Sequence, residues 1–158
     1  MATFGAMRFG DENGHVFGPD THVELPTPRD FTALIRALGD PAFRPALLFV
    51  ESTSMDHKVE AFLAARAVEP LAEDLSGTKW PKSRQLHVPL DDQVVETLAG
   101  LAERLAPPEV CDHLVVYRED VLLLAAYDAG QDPVWLARTV ATDARERITR
   151  RLDAEQLT

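Results

Sequence analysis

The chain has a single cysteine, Cys111, among its 158 residues, so no disulfide can form within it. Disulfide-stabilised secreted scaffolds are therefore excluded, and the cysteine usage gives no sign of an oxidising compartment. Long hydrophobic runs are missing too, since VLLLAAY at 121–127 is far shorter than the roughly 20 apolar residues of a membrane-spanning helix. The opening MATFGAMRFG lacks the basic and apolar regions of a signal peptide. We therefore expect a cytoplasmic protein without a membrane partner.

Positive charge is scarce as well. The chain holds 16 lysines and arginines against 26 aspartates and glutamates, which gives a formal net charge of −10. Such a charge repels phosphate backbones, so nucleic-acid binding is excluded over most of the surface. It favours encounter with a cationic protein partner. Arginine greatly outnumbers lysine, a bias that we take to indicate a GC-rich bacterial genome.

Motifs for metal and cofactor binding are absent from the sequence. The five histidines show no H-x-H or H-E-x-x-H spacing, and Cys111 has no second cysteine to pair with around a metal. No glycine-rich phosphate-binding loop follows a predicted strand. We therefore expect no metal and no cofactor.

What is present suffices for one α+β domain over residues 1–158, since 46% of the residues are hydrophobic. Asn13-Gly14 predicts the turn of an N-terminal hairpin, and residues 21–25 read as a short strand. The order Thr27-Pro28, with Asp30 two residues later, predicts a helix capped by Thr27.

The rest of the chain alternates strands and helices before it ends in a meander. PALLFVES and QLHVPL read as strands, with helices beginning near Met55 and at Asp91-Asp92. HLVVYRE, VLLLAAYD and PVWLARTV predict a three-strand antiparallel meander, and a last helix begins at Thr142 or Asp143. We predict a mixed sheet with about four helices packed on it, and the apolar VLLLAAY at its centre.

Two short segments contain residue types that catalysis uses. The loop ESTSMDH at 51–57 follows a predicted buried strand and opens a helix, so Glu51, Ser54 and His57 form a candidate hydrolase or transferase site. Serine and threonine before a helix are also what capping alone requires. The triplet Cys111-Asp112-His113 resembles a nucleophile with its base, but we favour a structural role because catalytic partners normally converge from separate segments.

The stretch SGTKWPKSRQ at 76–85 is the one purely basic island of the chain. It carries Lys79, Lys82 and Arg84 around Trp80, and tryptophan and arginine are enriched among interface hot spots. Two interpretations stay open. The stretch is a partner-binding site, or Trp80 folds onto the core while the lysines remain in water.

The last predicted helix carries Arg145, Arg147, Arg150 and Arg151. Basic residues late in a helix complement its dipole, and these alternate with acids as on an ordinary solvated face. An acidic or phosphorylated partner is the alternative interpretation. We favour the solvated face.

Residues 91–132 form the most acidic block, with ten acids against two bases. Asp91, Asp92, Glu119 and Asp120 are its candidate contacts for a cationic protein. The leading hypothesis is a non-catalytic protein-binding module, for which an immunity or antitoxin-like protein is one concrete form. The hydrolase or transferase with a site at 51–57 is the alternative, and a homo-oligomeric structural component is a third hypothesis.

Overall fold

The computed structural model describes residues 21–69, 84–119, 121–131 and 133–153. These residues form one six-stranded sheet with five α-helices, which confirms the predicted α+β class. The strands are β1 (His22–Leu25), β2 (Leu47–Ser52), β3 (Arg84–Pro89), β4 (His113–Arg118), β5 (Val121–Ala126) and β6 (Val134–Ala137). The helices are α1 (Phe31–Ala37), α2 (His57–Ala64), α3 (Asp92–Ala102), α4 (Pro107–Val110) and α5 (Thr142–Asp153). The hairpin predicted at Asn13-Gly14 lies outside the described residues.

The sheet is antiparallel throughout, so the predicted mixed sheet is wrong in that respect. The strand order is β1-β6-β5-β4-β2-β3, and every neighbouring pair is antiparallel. Ser52 at the end of β2 pairs with Arg84 at the start of β3, so the chain between these strands returns to the end of the sheet that it left. The segment that contains α2 is therefore not the crossover that would make two strands parallel.

The predicted meander is confirmed, because β4, β5 and β6 lie side by side. β5 is an interior strand, and Leu122 to Ala126 are all buried. β2 is also interior, as its continuous apolar pattern predicts, and Phe49 and Val50 are buried on opposite faces of the sheet.

Aspartates set the starts of four helical segments. Asp91 caps α3 as predicted, with its side chain accepting a hydrogen bond from the amide of Val94 at 2.8 Å. The cap of α1 differs from the prediction, because Asp30 and not Thr27 accepts from the amide of Ala33, at 2.7 Å. An aspartate is at least as good an N-cap as a threonine, so α1 begins three residues later. Asp40 and Asp56 cap the 3-10 turn Pro41–Phe43 and α2 in the same way.

The core lies mainly between the sheet and three helices on one of its faces. α1 occupies the middle of this layer and contacts both α3 and α5. Each fully buried leucine or isoleucine here contributes about 1.5–3 kcal/mol relative to exposure. The side chains that fill this layer to 1% exposure or less include Leu34, Ile35, Leu38, Val94, Leu98, Ile148 and Leu152.

The opposite face of the sheet carries a second buried cluster. It consists of Phe49, Val115, Tyr117, Leu122 and Ala125, with Leu47, Tyr127 and Trp135 half-buried beside them. A hydrogen bond of 2.9 Å joins the buried Tyr117 hydroxyl to Nδ1 of His87 on β3. Both faces of the central strands are therefore covered.

Candidate functional site

The strand register brings two distant acidic segments to one end of the sheet. Leu47, the first residue of β2, pairs with Pro89 on one side and with Tyr117 on the other. The end of β3 and the end of β4 therefore lie on either side of β2, about 9.6 Å apart. Whatever follows these two strands emerges at the same end of the sheet.

The acidic candidates that follow β3 are Asp91 and Asp92. The Asp91 carboxylate caps α3, and Asp92 is the first residue of that helix. The Asp92 side chain is 89% exposed and receives one contact, from Nη2 of Arg44 to Oδ1 at 3.1 Å. Asp91 thus has a structural role, while Asp92 projects into solvent beside a single arginine.

Glu119 lies in the tight turn between β4 and β5. It is exposed, and its φ of 54° places it in the left-handed region that such turns use. The structure therefore brings Asp91, Asp92 and Glu119 to one end of the sheet. Asp120 lies outside the described residues.

An exposed apolar residue accompanies these acids. Val121, which pairs with Arg118 at the start of β5, is 42% exposed and is one of two large apolar residues so exposed in the described chain. Pro89, at the end of β3, is exposed at the same end. We call Pro89, Asp91, Asp92, Glu119 and Val121 together the acidic sheet end.

Two arginines fix backbone carbonyls of residues 38–45, the segment beside the acidic sheet end. Arg118 donates from Nε to the carbonyl of Pro45 at 2.7 Å and from Nη2 to the carbonyl of Ala42 at 3.0 Å. Arg44 donates from Nη1 to the carbonyl of Leu38 at 3.0 Å and joins Asp92 through Nη2. The composition pointed only to the acids, and these arginines were missed because their partners are backbone carbonyls that no sequence pattern marks.

Arg84, a described residue of the basic island, lies at the opposite end of β3 from the acidic sheet end. Arg84 is exposed at the start of β3 and forms an ion pair with Glu60 of α2. The length of β3, about 17 Å for its six residues, lies between Arg84 and the acids that follow Pro89. Lys79, Trp80 and Lys82 lie outside the described residues, and both interpretations of that stretch remain predictions.

The loop at 51–57 does not bring its three candidate residues together. The Glu51 side chain is fully buried, whereas the His57 side chain is 84% exposed at the first position of α2. Ser54 is exposed, and its amide donates to the hydroxyl of Ser52. No two of the three candidate side chains contact each other.

The polar groups of this loop anchor it to the segment before β4. Ser52 donates its hydroxyl to the carbonyl of Pro108 at 2.6 Å. Asp112 accepts from the amide of Thr53 at 3.0 Å, and the Asp112 amide donates to the carbonyl of Glu51 at 2.7 Å. The serine and threonine donors of the loop therefore serve its own structure.

Cys111, Asp112 and His113 serve different parts of the fold. Cys111 belongs to the core cluster on the helix side, and burial among apolar groups raises the pKa of its thiol far above the ordinary value, with the nearby Asp112 charge adding to the effect. His113 contacts Tyr127 of the second-face cluster and accepts from the amide of Asp128. Cys111 follows the last residue of α4 as its C-cap, whereas His113 is the first residue of β4.

Neither the arrangement of possible metal ligands nor comparison with known proteins assigns a function to these residues. Within the described ranges, no group of three or more histidine, cysteine, aspartate or glutamate side chains is placed to hold a metal ion. No helix in the same ranges has the length and apolar character needed to cross a bilayer. The chain matches no protein-family model, no characterised protein and no solved structure.

Proposed function

We propose that the protein is a non-catalytic cytoplasmic binding module that docks on a cationic protein through the acidic sheet end. The observation that carries this proposal is the register of β2, which brings Asp92, Glu119 and the exposed Val121 to the same end of the sheet. An apolar contact with a charged rim is the usual anatomy of a protein interface. An immunity or antitoxin-like neutralisation of a basic effector is one form of this function.

The charges of this surface favour a basic partner. The three acids Asp91, Asp92 and Glu119 outnumber the two arginines of this region, Arg44, which pairs with Asp92, and Arg118, which binds backbone carbonyls. The net charge of −10 adds a long-range field that would steer such a partner towards the protein. Electrostatic complementarity of this kind acts mainly on the association rate and on specificity.

Contacts within the protein fix the backbone at the start of α3 and in the neighbouring segment 42–45. The carbonyls of Ala42 and Pro45 are held by Arg118, and Asp91 fixes the start of α3. A preorganised surface loses less conformational entropy on binding than a loop that must become ordered. This feature supports docking without rearrangement of the described backbone.

Three of the reactive side chains considered above have a structural position. Cys111 is buried in the core, Asp112 anchors the loop at 51–57, and His113 accepts from the amide of Asp128, whereas Ser54 and His57 are exposed. These contacts support recognition rather than chemistry as the proposed activity. The hydrolase or transferase alternative would have to use another arrangement of residues.

Affinity capture from the source organism tests the proposal. Wild-type protein as bait should retain a basic protein, and the Asp92→Asn/Glu119→Gln variant should lose it. The matched control is Glu103→Gln/Glu146→Gln, which removes two exposed carboxylates away from the acidic sheet end: Glu103, the C-cap of α3, which pairs with Arg36, and Glu146 on α5. The association rate of the captured partner should fall about threefold or more in the double variant, and its salt dependence should weaken. Equal capture by the two variants, or capture of an acidic partner, would contradict the proposal.

A further inference from the structure

A cleft with three arginines lies between α5 and the end of α1. Its volume is about 410 Å³, within the range of small-molecule sites. One wall is formed by Arg147, Arg150 and Arg151 of α5, and the facing wall by residues 39–41. In a protein of net charge −10, this concentration of positive charge requires an explanation.

The charge of Arg147 is already matched within the protein. Its Nε contacts Oδ2 of Asp40 at 3.0 Å, and its Nη2 contacts Oδ1 at 3.1 Å, so the pair is bidentate. The Asp40 side chain is only 8% exposed, and it also accepts from the amide of Ala42 at 2.9 Å. Asp143, one turn earlier on α5, contacts Arg147 at 3.3 Å. Arg147 is therefore a fixed part of the wall and not a free cation.

The electrostatics of Asp40 agree with this geometry. Burial raises the pKa of the Asp40 carboxyl, but the hydrogen bonds from Arg147 and Ala42 and the charges of Arg147 and Arg151 outweigh it, so the pKa lies below its ordinary value. The hydrogen bond to Asp40 in turn raises the pKa of Arg147. Both groups are charged at neutral pH.

Arg150 and Arg151 have no such match. In the described part of the chain neither forms an ion pair, although both line the cleft. Glu146 stands four residues before Arg150, the spacing that favours a helical ion pair, yet no contact within 4 Å joins them. Arg150 and Arg151 are adjacent like charges on the cleft wall. An anion in the cleft would be attracted by both.

We propose that this cleft binds a small phosphate ester. Arg150 and Arg151 place two positive charges on the cleft wall, and although Asp143 beside Arg147 brings the whole cluster to a net +1, the two arginines are available to a phosphate group of about −1.5 to −2 at neutral pH. Guanidinium groups are well shaped for bidentate contact with phosphate oxygens. The volume exceeds that of a phosphate ion alone, and the exposed ring of Pro41 gives the organic part of the ester an apolar contact above the buried Ala37 and Ile148. This site is separate from the acidic sheet end.

An NMR titration of backbone amides with phenyl phosphate at constant ionic strength tests this proposal. Saturable shifts are expected at residues 37–41 and 147–151 of the wild-type protein, together with binding several-fold tighter than that of inorganic phosphate. The Arg150→Gln/Arg151→Gln variant should bind phenyl phosphate about tenfold more weakly or worse. Its spectrum and thermal midpoint show independently whether the fold is retained.

The matched control is Arg104→Gln/Arg145→Gln, which removes two arginines that do not line the cleft and should leave the affinity unchanged. Three results would overturn the proposal. They are the absence of saturable shifts in the wild-type protein, equal affinity in the cleft variant, and inorganic phosphate binding as tightly as phenyl phosphate. Equal affinity for inorganic phosphate would show that the cleft does not recognise the organic part of an ester.

Discussion

The stability of the protein should fall between neutral and mildly acidic pH, and His87 should cause a measurable part of the fall. Burial lowers the pKa of His87 to about 4 from an ordinary 6.5, because the ring lies against Phe49 and Tyr117 on the second face of the sheet. The unfolded chain therefore binds a proton near pH 6.5, whereas the folded chain does not until about pH 4. Stability contributed by the neutral ring is complete above pH 6.5 and is lost progressively towards pH 4.

The size of the effect follows from the two pKa values. A group that titrates at 6.5 in the unfolded state and at 4 in the folded state lowers the free energy of unfolding by about 1.8 kcal/mol between pH 7 and pH 5. The His87 ring is only half-buried, so solvent screening reduces this to about 1 kcal/mol. Burial also lowers the pKa of His22, which adds a loss of the same sign.

Urea unfolding followed by circular dichroism at these two pH values measures the change. The His87→Gln variant should lose about 1 kcal/mol less than the wild-type protein between pH 7 and pH 5, whatever its stability at pH 7. His57→Gln is the control, because that side chain is 84% exposed, and it should show the wild-type loss. If His87→Gln and wild type lose the same amount, the buried and neutral state assigned to His87 is refuted.

Three further variants and one labelling reaction test individual positions. Gly100→Ala should raise the free energy of unfolding by up to about 1 kcal/mol in urea, because the added methyl group meets nothing within 4 Å and alanine favours the helix; a loss of stability would contradict this. Asp40→Ala should lower it by about 2 kcal/mol, since it removes a cap and both bonds to Arg147, and Arg147→Gln should lower it less because the cap remains. The stability that the Asp40 charge contributes should disappear as the pH falls through the lowered pKa of this carboxyl, below about 3.8. Below that pH, the free energy of unfolding should therefore fall more steeply in the wild-type protein than in Asp40→Ala. Cys111 should react with Ellman's reagent only as fast as the protein unfolds, because its thiol is buried with a raised pKa, and rapid labelling of the native protein would show that the site opens locally.

Local patterns in the sequence predict the elements well. The continuous apolar runs of β2 and β5 belong to buried strands, and Asp91 caps α3, because each signal depends on residues a few positions apart. The cap of α1 was placed at Thr27 because the Thr-Pro pair is a strong start signal. Asp30 is an equally good cap three residues later, and sequence preference alone does not separate the two.

Strand pairing is not local, and that is why the sheet was predicted less well. Whether β2 and β3 run parallel depends on where the chain goes between them, which composition and periodicity do not encode.

The candidate sites show the same difference between local sequence signals and contacts between distant residues. Negative charge could be located in the sequence, but the proximity of Asp92 and Glu119 depends on both strands pairing beside Leu47. The arginines of α5 can be identified in the sequence, but the cleft that they line depends on Asp40, which lies 107 residues from Arg147. Tertiary contacts of this range have no signature in one sequence.

The central claim, that a cationic partner docks on the acidic sheet end, is tested most directly by an NMR titration with decalysine at low salt. We expect the largest amide shifts at residues 89–93 and 117–121, and we expect them to vanish with added salt. The Asp92→Asn/Glu119→Gln variant should lose these shifts, whereas Glu103→Gln/Glu146→Gln should keep them. Shifts spread evenly over all exposed acids, or centred elsewhere on the protein, would contradict the claim.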